Sequence, residues 1–280
     1  MIKKEELVNR LSKEEWLIML APSYIVDFSY PNIIGALKHL GFDKITELTF
    51  GAKLVNKEYH AILKESESLK ISSVCPGVVE TICTSLPEHK KELVPVDSPM
   101  IAMAKVCKKN FPNHKIAFLA PCAFKRIEAE KSKIIDAVLT FKELNELFAI
   151  KNINLKKFNK NYSFDSFYNE YTKIYPVSGG LSKTVHLKGI LKKEEIKVIG
   201  GIKEVRSFLK RKDSKIKFLD CTFCKGGCIG GPEVSSKLSL SFKKRKVIRY
   251  MKKSQEELTP EKNKGFLKKA KNISFVKSRF

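Results

Sequence analysis

Seven short apolar runs in this chain alternate with stretches whose apolar residues recur every three or four positions, and that rhythm restricts the fold more than any other feature. The runs are "WLIMLAPSYIV" (a buried strand and its exit loop), "KITELTF", "LKISSVC", "HKIAFLAPC", "DAVLT", "IKVIG" and "SKIKFLD". Between them lie amphipathic helical patterns: "NIIGALKHLGF", ending at Gly41, then "GAKLVNKEYHAILKES", "VVETICTSL", "PMIAMAKVCKKNF", "FKELNELFAI" and "IKEVRSFLKRK". Strand–helix alternation of this kind predicts an α/β fold with mostly parallel sheet. Several of the strands end in short loops, at "APS", "VCPG", "APC" and "DCTFC". Functional sites of open α/β sheets gather at the carboxyl ends of strands, so these loops are expected to converge.

Two segments break the rhythm. "KNINLKKFNKNYSFDSFYNEYTK" (residues 151–173) is polar and aromatic without a clear period, and reads as a surface insertion or lobe connector. Past about Val234 the chain turns strongly basic, with fourteen Lys/Arg against three Glu in its last forty residues. Two helical patterns there, "VIRYMKKSQEEL" and "EKNKGFLKKAKN", read as surface elements. The expected organisation is one domain over residues 1–234, with 151–173 as an insertion or connector, and a basic helical tail over 235–280.

The formal net charge is +24. It points to an acidic protein partner or to nucleic acid, since opposite surface potentials speed encounter. No zinc-finger spacing and no RNA-recognition signature is present, so nucleic acid is set aside as the primary partner. The first residues carry charge around a short apolar run, "WLIMLA", unlike a signal peptide, and no run approaches the length that spans a bilayer. A cytoplasmic location is expected. In that reducing compartment seven cysteines serve metal binding or redox chemistry more readily than disulfides. Cys83 and Cys107 sit in helical apolar patterns and read as buried small hydrophobes.

The remaining five cysteines carry the chemistry. "FLDCTFCKGGCIGGP" packs Cys221, Cys224 and Cys228 into eight residues among glycines. Glycines let a backbone wrap close to a bulky inorganic core. Cys75 in "SSVCPG" and Cys122 in "APCAFKRIE" follow apolar strands and stand beside prolines, a poor setting for plain core packing. A cubane iron–sulfur cluster takes four loop thiolates of this kind. The competing readings are buried cysteines with an unrelated glycine turn, and a four-cysteine zinc site. Zinc favours paired C-x-x-C knuckles, which single cysteines at 75 and 122 do not make.

These loops resemble the signature loops of the iron-only (FeFe) hydrogenase catalytic domain, roughly TSCCPxW, MPCxxKxxE and CxxGCxxGGGxP. Here they read "SSVCPGV", "APCAFKRIE" and "CKGGCIGGP", in the same order, and "LAPS", "LGFDKITELTFGAKL", "DSPM", "DAVLTFKEL" and "VSGGL" resemble the connecting segments. The likeness runs from about residue 14 to residue 232. It implies two lobes of mostly parallel sheet flanked by helices, with the metal cofactor in the cleft between them. It further implies that Cys75, Cys122, Cys224 and Cys228 ligate a 4Fe–4S cubane. Cys228 would also bridge to a diiron subcluster carrying CO, cyanide and an azadithiolate, the whole being the H-cluster. Lys125 would donate to one cyanide, and Pro22 and Ser23 would line the other. The implied activity is reversible reduction of protons to dihydrogen, with electrons from an acidic ferredoxin-like carrier, after loading by hydrogenase maturation proteins.

The sequence also departs from the family's pattern. Val74 stands where active members place a proton-passing cysteine, and Tyr59, Ile62 and Val94 fall at the rest of that relay. Ala120 and Thr222 replace methionines, and the third loop has two glycines before its proline rather than three. Relay residues need titratable or hydroxyl groups within hydrogen-bond reach. Cys221 and Glu58 are the candidate substitutes, and Cys221 resembles an extra cysteine in the family's sensory branches. The alternatives to a minimal hydrogenase are therefore a hydrogen or redox sensor with weak activity, and a non-catalytic 4Fe–4S protein of the hydrogenase-like cluster-assembly type.

Overall fold

The computed structural model describes residues 1–158, 162–211 and 213–277. In chain order the elements are α1 (Lys4–Arg10), β1 (Trp16–Leu20), α2 (Asn32–Leu40), β2 (Lys44–Glu47), α3 (Thr49–Lys64) and β3 (Lys70–Ile71). There follow α4 (Pro76–Ser85), α5 (Pro99–Asn110), β4 (Lys115–Ala120), α6 (Phe124–Ser132), β5 (Ala137–Thr140) and α7 (Phe141–Ile150). Then come α8 (Gly180–Thr184), β6 (Ile196–Gly200), α9 (Ile202–Arg211), β7 (Phe218–Thr222) and α10 (Leu240–Gln255). All seven expected strands form. "KITELTF" is strand only to Glu47, because Thr49 already opens α3.

The strands make two parallel sheets, one in the order β2-β1-β4-β5 and one in the order β3-β7-β6. All five residues of β1 are buried, as befits a central parallel strand covered on both faces. Its alternation divides the core. Leu17 and Met19 join Ile116 and Phe118 of β4 under α3 and α5. Trp16, Ile18 and Leu20 join Ala117 and Leu119 beneath α2 and α7. The second sheet repeats the device: Leu219 and Cys221 of β7 face a smaller core with Val78, Ile82, Val205 and Leu209, whereas Phe218 faces the large one.

Local chemistry sets the helix ends. Ser98 Oγ caps α5 by accepting from Ile101 N, and Pro99 fills the first helical position. Thr140 and Glu143 form a reciprocal capping box on α7. Gly41, at φ 115°, ends α2 in the left-handed conformation.

The two segments that broke the rhythm are not surface pieces. Within 151–173, Phe164 and Phe167 are 1% exposed and Lys173 is wholly buried. Residues 159–161 of that segment lie outside the described residues. The expected basic tail is likewise part of the core: α10 buries Lys243, Val247, Tyr250 and Ser254 on one face. Tyr250 Oη accepts from Tyr24 Oη (2.8 Å) and from Lys173 Nζ (2.7 Å) and donates to Glu47 Oε1 (3.0 Å). Lys173 Nζ also meets Glu47 Oε2 at 2.5 Å and lies over the Tyr250 ring. Farther on, Ala270 and Phe275 enter the large core, and "EKNKGFLKKAKN" forms two short 3₁₀ turns rather than a helix. Among the described residues no helix is long and apolar enough to cross a membrane.

Candidate functional site

The expected loops do converge. Pro22 and Ser23 begin a 3₁₀ turn directly after β1, Cys75 precedes α4 at the end of the β3 segment, and Cys122 follows β4. Cys224 and Cys228 follow β7. A cavity between the two sheets is lined by Pro22, Ser23, Cys75, Cys122, Lys125 and Cys228, with Val74, Tyr175, Asp220 and Thr222 completing much of its wall. Apolar groups from Leu48, Phe118, Val177 and Leu181 surround them.

The third loop reaches this point because of its glycines. Gly227 has φ 81°, and a Cβ there would sit 2.6 Å from the Pro176 carbonyl oxygen. At Gly231 a Cβ would lie 2.5 Å from the Pro121 carbonyl oxygen, where Glu233 N also bonds (3.1 Å). Any side chain at either place would push the third loop off the neighbouring loops. Phe223 N donates to Cys75 Sγ (3.5 Å), and its ring stacks obliquely on Phe124, so the three cysteine loops touch one another.

The thiols share one electrostatic environment. Burial raises the pKa of Cys122; Lys125 pulls it back, and backbone N–H groups of Lys125 and Phe124 donate to its sulfur. Burial, then Cys75 and Cys122, push the Cys224 thiol up to about 11. Cys228 is raised by burial and then by Cys122 and Cys75, with Lys125 opposing. Its accessible surface is therefore cavity wall rather than outer surface. Three thiols held protonated by burial and by one another's charge, with Cys75 beside them, are a setting that iron would relieve. A single tetrahedral ion needs sulfurs about 3.8 Å apart. Among the described residues no three His, Cys, Asp or Glu side chains come close enough to hold one metal ion. The cysteines are therefore not set at the spacing that the four-cysteine zinc reading requires.

Lys125 Nζ meets Glu128 Oε2 at 2.7 Å and Ser98 Oγ at 3.5 Å. Burial lowers its pKa, but Glu128 and the Cys122 and Cys228 thiols outweigh this, so the ammonium is held charged. Glu128 is the anchor of that lysine, a role the sequence alone left open. Two buried polar atoms of the wall, Ser23 Oγ and Tyr175 Oη, have no hydrogen-bond partner among the described residues. Orphans of this kind inside a folded core call for a partner from outside the chain.

The expected proton substitutes do not join the wall. Cys221 points from the opposite face of β7 into the small core, where Ser72 Oγ donates to its sulfur at 3.7 Å, and burial raises its thiol strongly. Glu58 does not line the cavity either, whereas Val74 does. Tyr59 donates or accepts a 2.9 Å bond with Ser73 Oγ, beneath Val74. The wall residues the sequence reading missed are Asp220 and Tyr175. The signal for Asp220 was present: a lone charge inside the apolar run "FLDC".

A family model described as iron only hydrogenase large subunit, C-terminal domain, matches residues 14–232, and the chain belongs to that family. Iron hydrogenase 1 of Clostridium pasteurianum is 25% identical over an alignment that spans 73% of this chain and 46% of the relative. The matched part is thus about half of that protein's length. Among solved structures, an FeFe-hydrogenase described for oxygen inactivation through its H cluster 2Fe subcluster matches with a TM-score of 0.71 at 15% identity, covering 94% of this chain and 92% of that one. An apo FeFe-hydrogenase HydA1 from Chlamydomonas reinhardtii matches with a TM-score of 0.66 at 15% identity, covering 95% and 90%. The fold is the FeFe-hydrogenase catalytic-domain fold.

Proposed function

We propose that this chain is a hydrogenase that holds an H-cluster in the cavity between its sheets. The observation that carries the reading is the meeting, in one cavity lining, of Cys75, Cys122 and Cys228 with a charged, buried Lys125 and a Ser23 hydroxyl that has no partner among the described residues. Cys75, Cys122, Cys224 and Cys228 would hold a 4Fe–4S cubane, and Cys228 would bridge to a diiron subcluster with CO, cyanide and azadithiolate. When bound, that group supplies reversible conversion of two protons and two electrons to dihydrogen.

This chain's residues then have definite tasks. Lys125 offers a charge-assisted donor to an anionic ligand in a dry pocket, held in place by Glu128. Ser23 Oγ and the backbone around Pro22 offer further contacts from the same cavity lining. Leu48, Phe118 and Leu181 exclude water, which strengthens each polar contact. The seven free thiols suit a reducing, anaerobic cytoplasm, and the net charge of +24 suits an acidic, ferredoxin-like electron carrier.

A second reading, a hydrogen or redox sensor with weak turnover, is favoured by Val74, an apolar side chain on the wall where a proton must pass. Anaerobic expression, loading with the diiron cofactor by maturation proteins, and an assay of hydrogen evolution with reduced ferredoxin separate the two. Sustained evolution that disappears in Cys228→Ala supports the hydrogenase. A loaded protein with negligible turnover supports the sensor. Evolution that survives Cys228→Ala refutes the ligand assignment.

A further inference from the structure

We infer that Asp220 and Ser182 form the proton passage between the cavity and solvent. The inference rests on the proposed function, and it answers the problem that Val74 poses.

Asp220 lies near the end of β7 with its side chain on the cavity wall, and it is 2% exposed. Ser182, in the first turn of α8, binds it twice. The backbone N donates to Asp220 Oδ2 at 2.9 Å and the hydroxyl donates to the same oxygen at 2.6 Å. Oδ1 takes no hydrogen bond from the described residues. Ser182 as a residue is only half-buried, so it stands at the solvent boundary. One buried carboxyl therefore borders the cavity and touches the hydroxyl of a residue that solvent partly reaches. Cys221 and Glu58 do not have this geometry.

The electrostatics agree with a carrier rather than a fixed anion. Burial raises the Asp220 pKa above that of an ordinary aspartate; the Ser182 bonds and the Lys183 ammonium only partly oppose it. Its other titratable neighbours, Tyr59 of α3, Tyr175 before α8 and Cys221 of its own strand, bring no positive charge. A carboxyl of raised pKa exchanges protons nearer neutrality, where relays work best. The passage moves one proton and no electrons. Ser182 Oγ receives a proton from solvent water and gives its own to Asp220 Oδ2. Rotation of the resulting carboxylic acid about Cβ–Cγ turns its protonated oxygen toward the cavity, where it releases that proton and returns to the carboxylate. Tyr175 Oη, on the same wall and without a hydrogen-bond partner among the described residues, can accept that proton as it passes its own hydroxyl proton on into the cavity.

The direct test is infrared difference spectroscopy on the chain without cofactor. A protonated-carboxyl stretch that is absent from Asp220→Asn should shift to its deuterated position within the mixing time in D₂O. In Ser182→Ala the same band should exchange at least about tenfold more slowly, since a relay member is gone. On the loaded protein, Asp220→Asn should lower hydrogen evolution about a hundredfold with the CO and cyanide bands intact, and Asp220→Glu should recover part of it. The inference is overturned if no carboxyl band depends on Asp220, or if Ser182→Ala exchanges as fast as the parent. It is equally overturned if Asp220→Asn evolves hydrogen at the parent rate. Should the parent show no CO bands after maturation, the proposed function fails, while the exchange experiment still decides the passage.

Discussion

Replacing Lys173 by Met should destabilise this protein more than any single surface change. Lys173 and Glu47 are both buried, 0% and 1% exposed, and pair at 2.5 Å. Desolvation pushes the Glu47 carboxyl up, and the Lys173 charge and hydrogen bond are what pull it back. Removing the cation leaves a carboxyl with only Tyr250 Oη and Thr49 Oγ1 as side-chain donors among the described residues. Breaking such a pair from one side costs about 3–5 kcal/mol. At about 2–4 °C per kcal/mol for chains near this size, the melting temperature should fall by roughly 6–20 °C. The double variant Lys173→Met/Glu47→Gln removes both charges and should cost less than the sum of the two singles. Anaerobic thermal and urea unfolding followed by circular dichroism measures all three. If Lys173→Met stays within about 1 kcal/mol of the parent, or the two costs simply add, the network is not the brace described here. The consequence reaches the cavity, because Tyr250 also binds Tyr24, the neighbour of Ser23.

Other perturbations test other parts. Val247→Ala empties a fully buried site under α10 and should cost roughly 2 kcal/mol in urea unfolding, whereas a free surface tail would give no change. Gly227→Ala meets both a positive φ and the Pro176 oxygen, so iron bound per chain should fall sharply while far-ultraviolet circular dichroism keeps its helical signal. In Asp220 the folded pKa is raised, so its neutral form stabilises the fold at acid pH and that contribution is lost as pH rises through the folded pKa. Asp220→Asn should therefore flatten the fall of melting temperature between acid and neutral pH. Glu143 has the opposite sign: burial opposes, but the Thr140 backbone and Arg126 hold its carboxyl low, giving stability that is lost as pH falls below the usual carboxylate range. Glu143→Gln should remove that acid sensitivity.

Much of the architecture was legible because its determinants are local. An apolar strand such as "WLIML" buried on both faces can be read without knowing its neighbours, and so can the Pro-flanked cysteines that end strands. What was not legible depends on partners distant in sequence. Cys221 and Asp220 are adjacent, and in a strand a shift of one residue exchanges the faces. Only the packing of Leu219 and Cys221 with Val78 and Val205 decides that Asp220 turns to the cavity. The C-terminal segment was masked by its charge: fourteen basic residues drew attention from positions 243, 247, 250 and 254, whose spacing marks one buried helix face. In residues 151–173 the aromatics follow no period because they fill gaps between elements rather than lie on one.

The central claim is that this cavity holds a cubane joined through Cys228 to a diiron group. Infrared spectra of the anaerobically matured protein test it most directly. The account predicts sharp CO and cyanide bands in the parent, shifted by Lys125→Met as a cyanide loses its donor, and absent from Cys228→Ala. A protein that binds a 4Fe–4S cluster by electron paramagnetic resonance yet shows no such bands after maturation would contradict it.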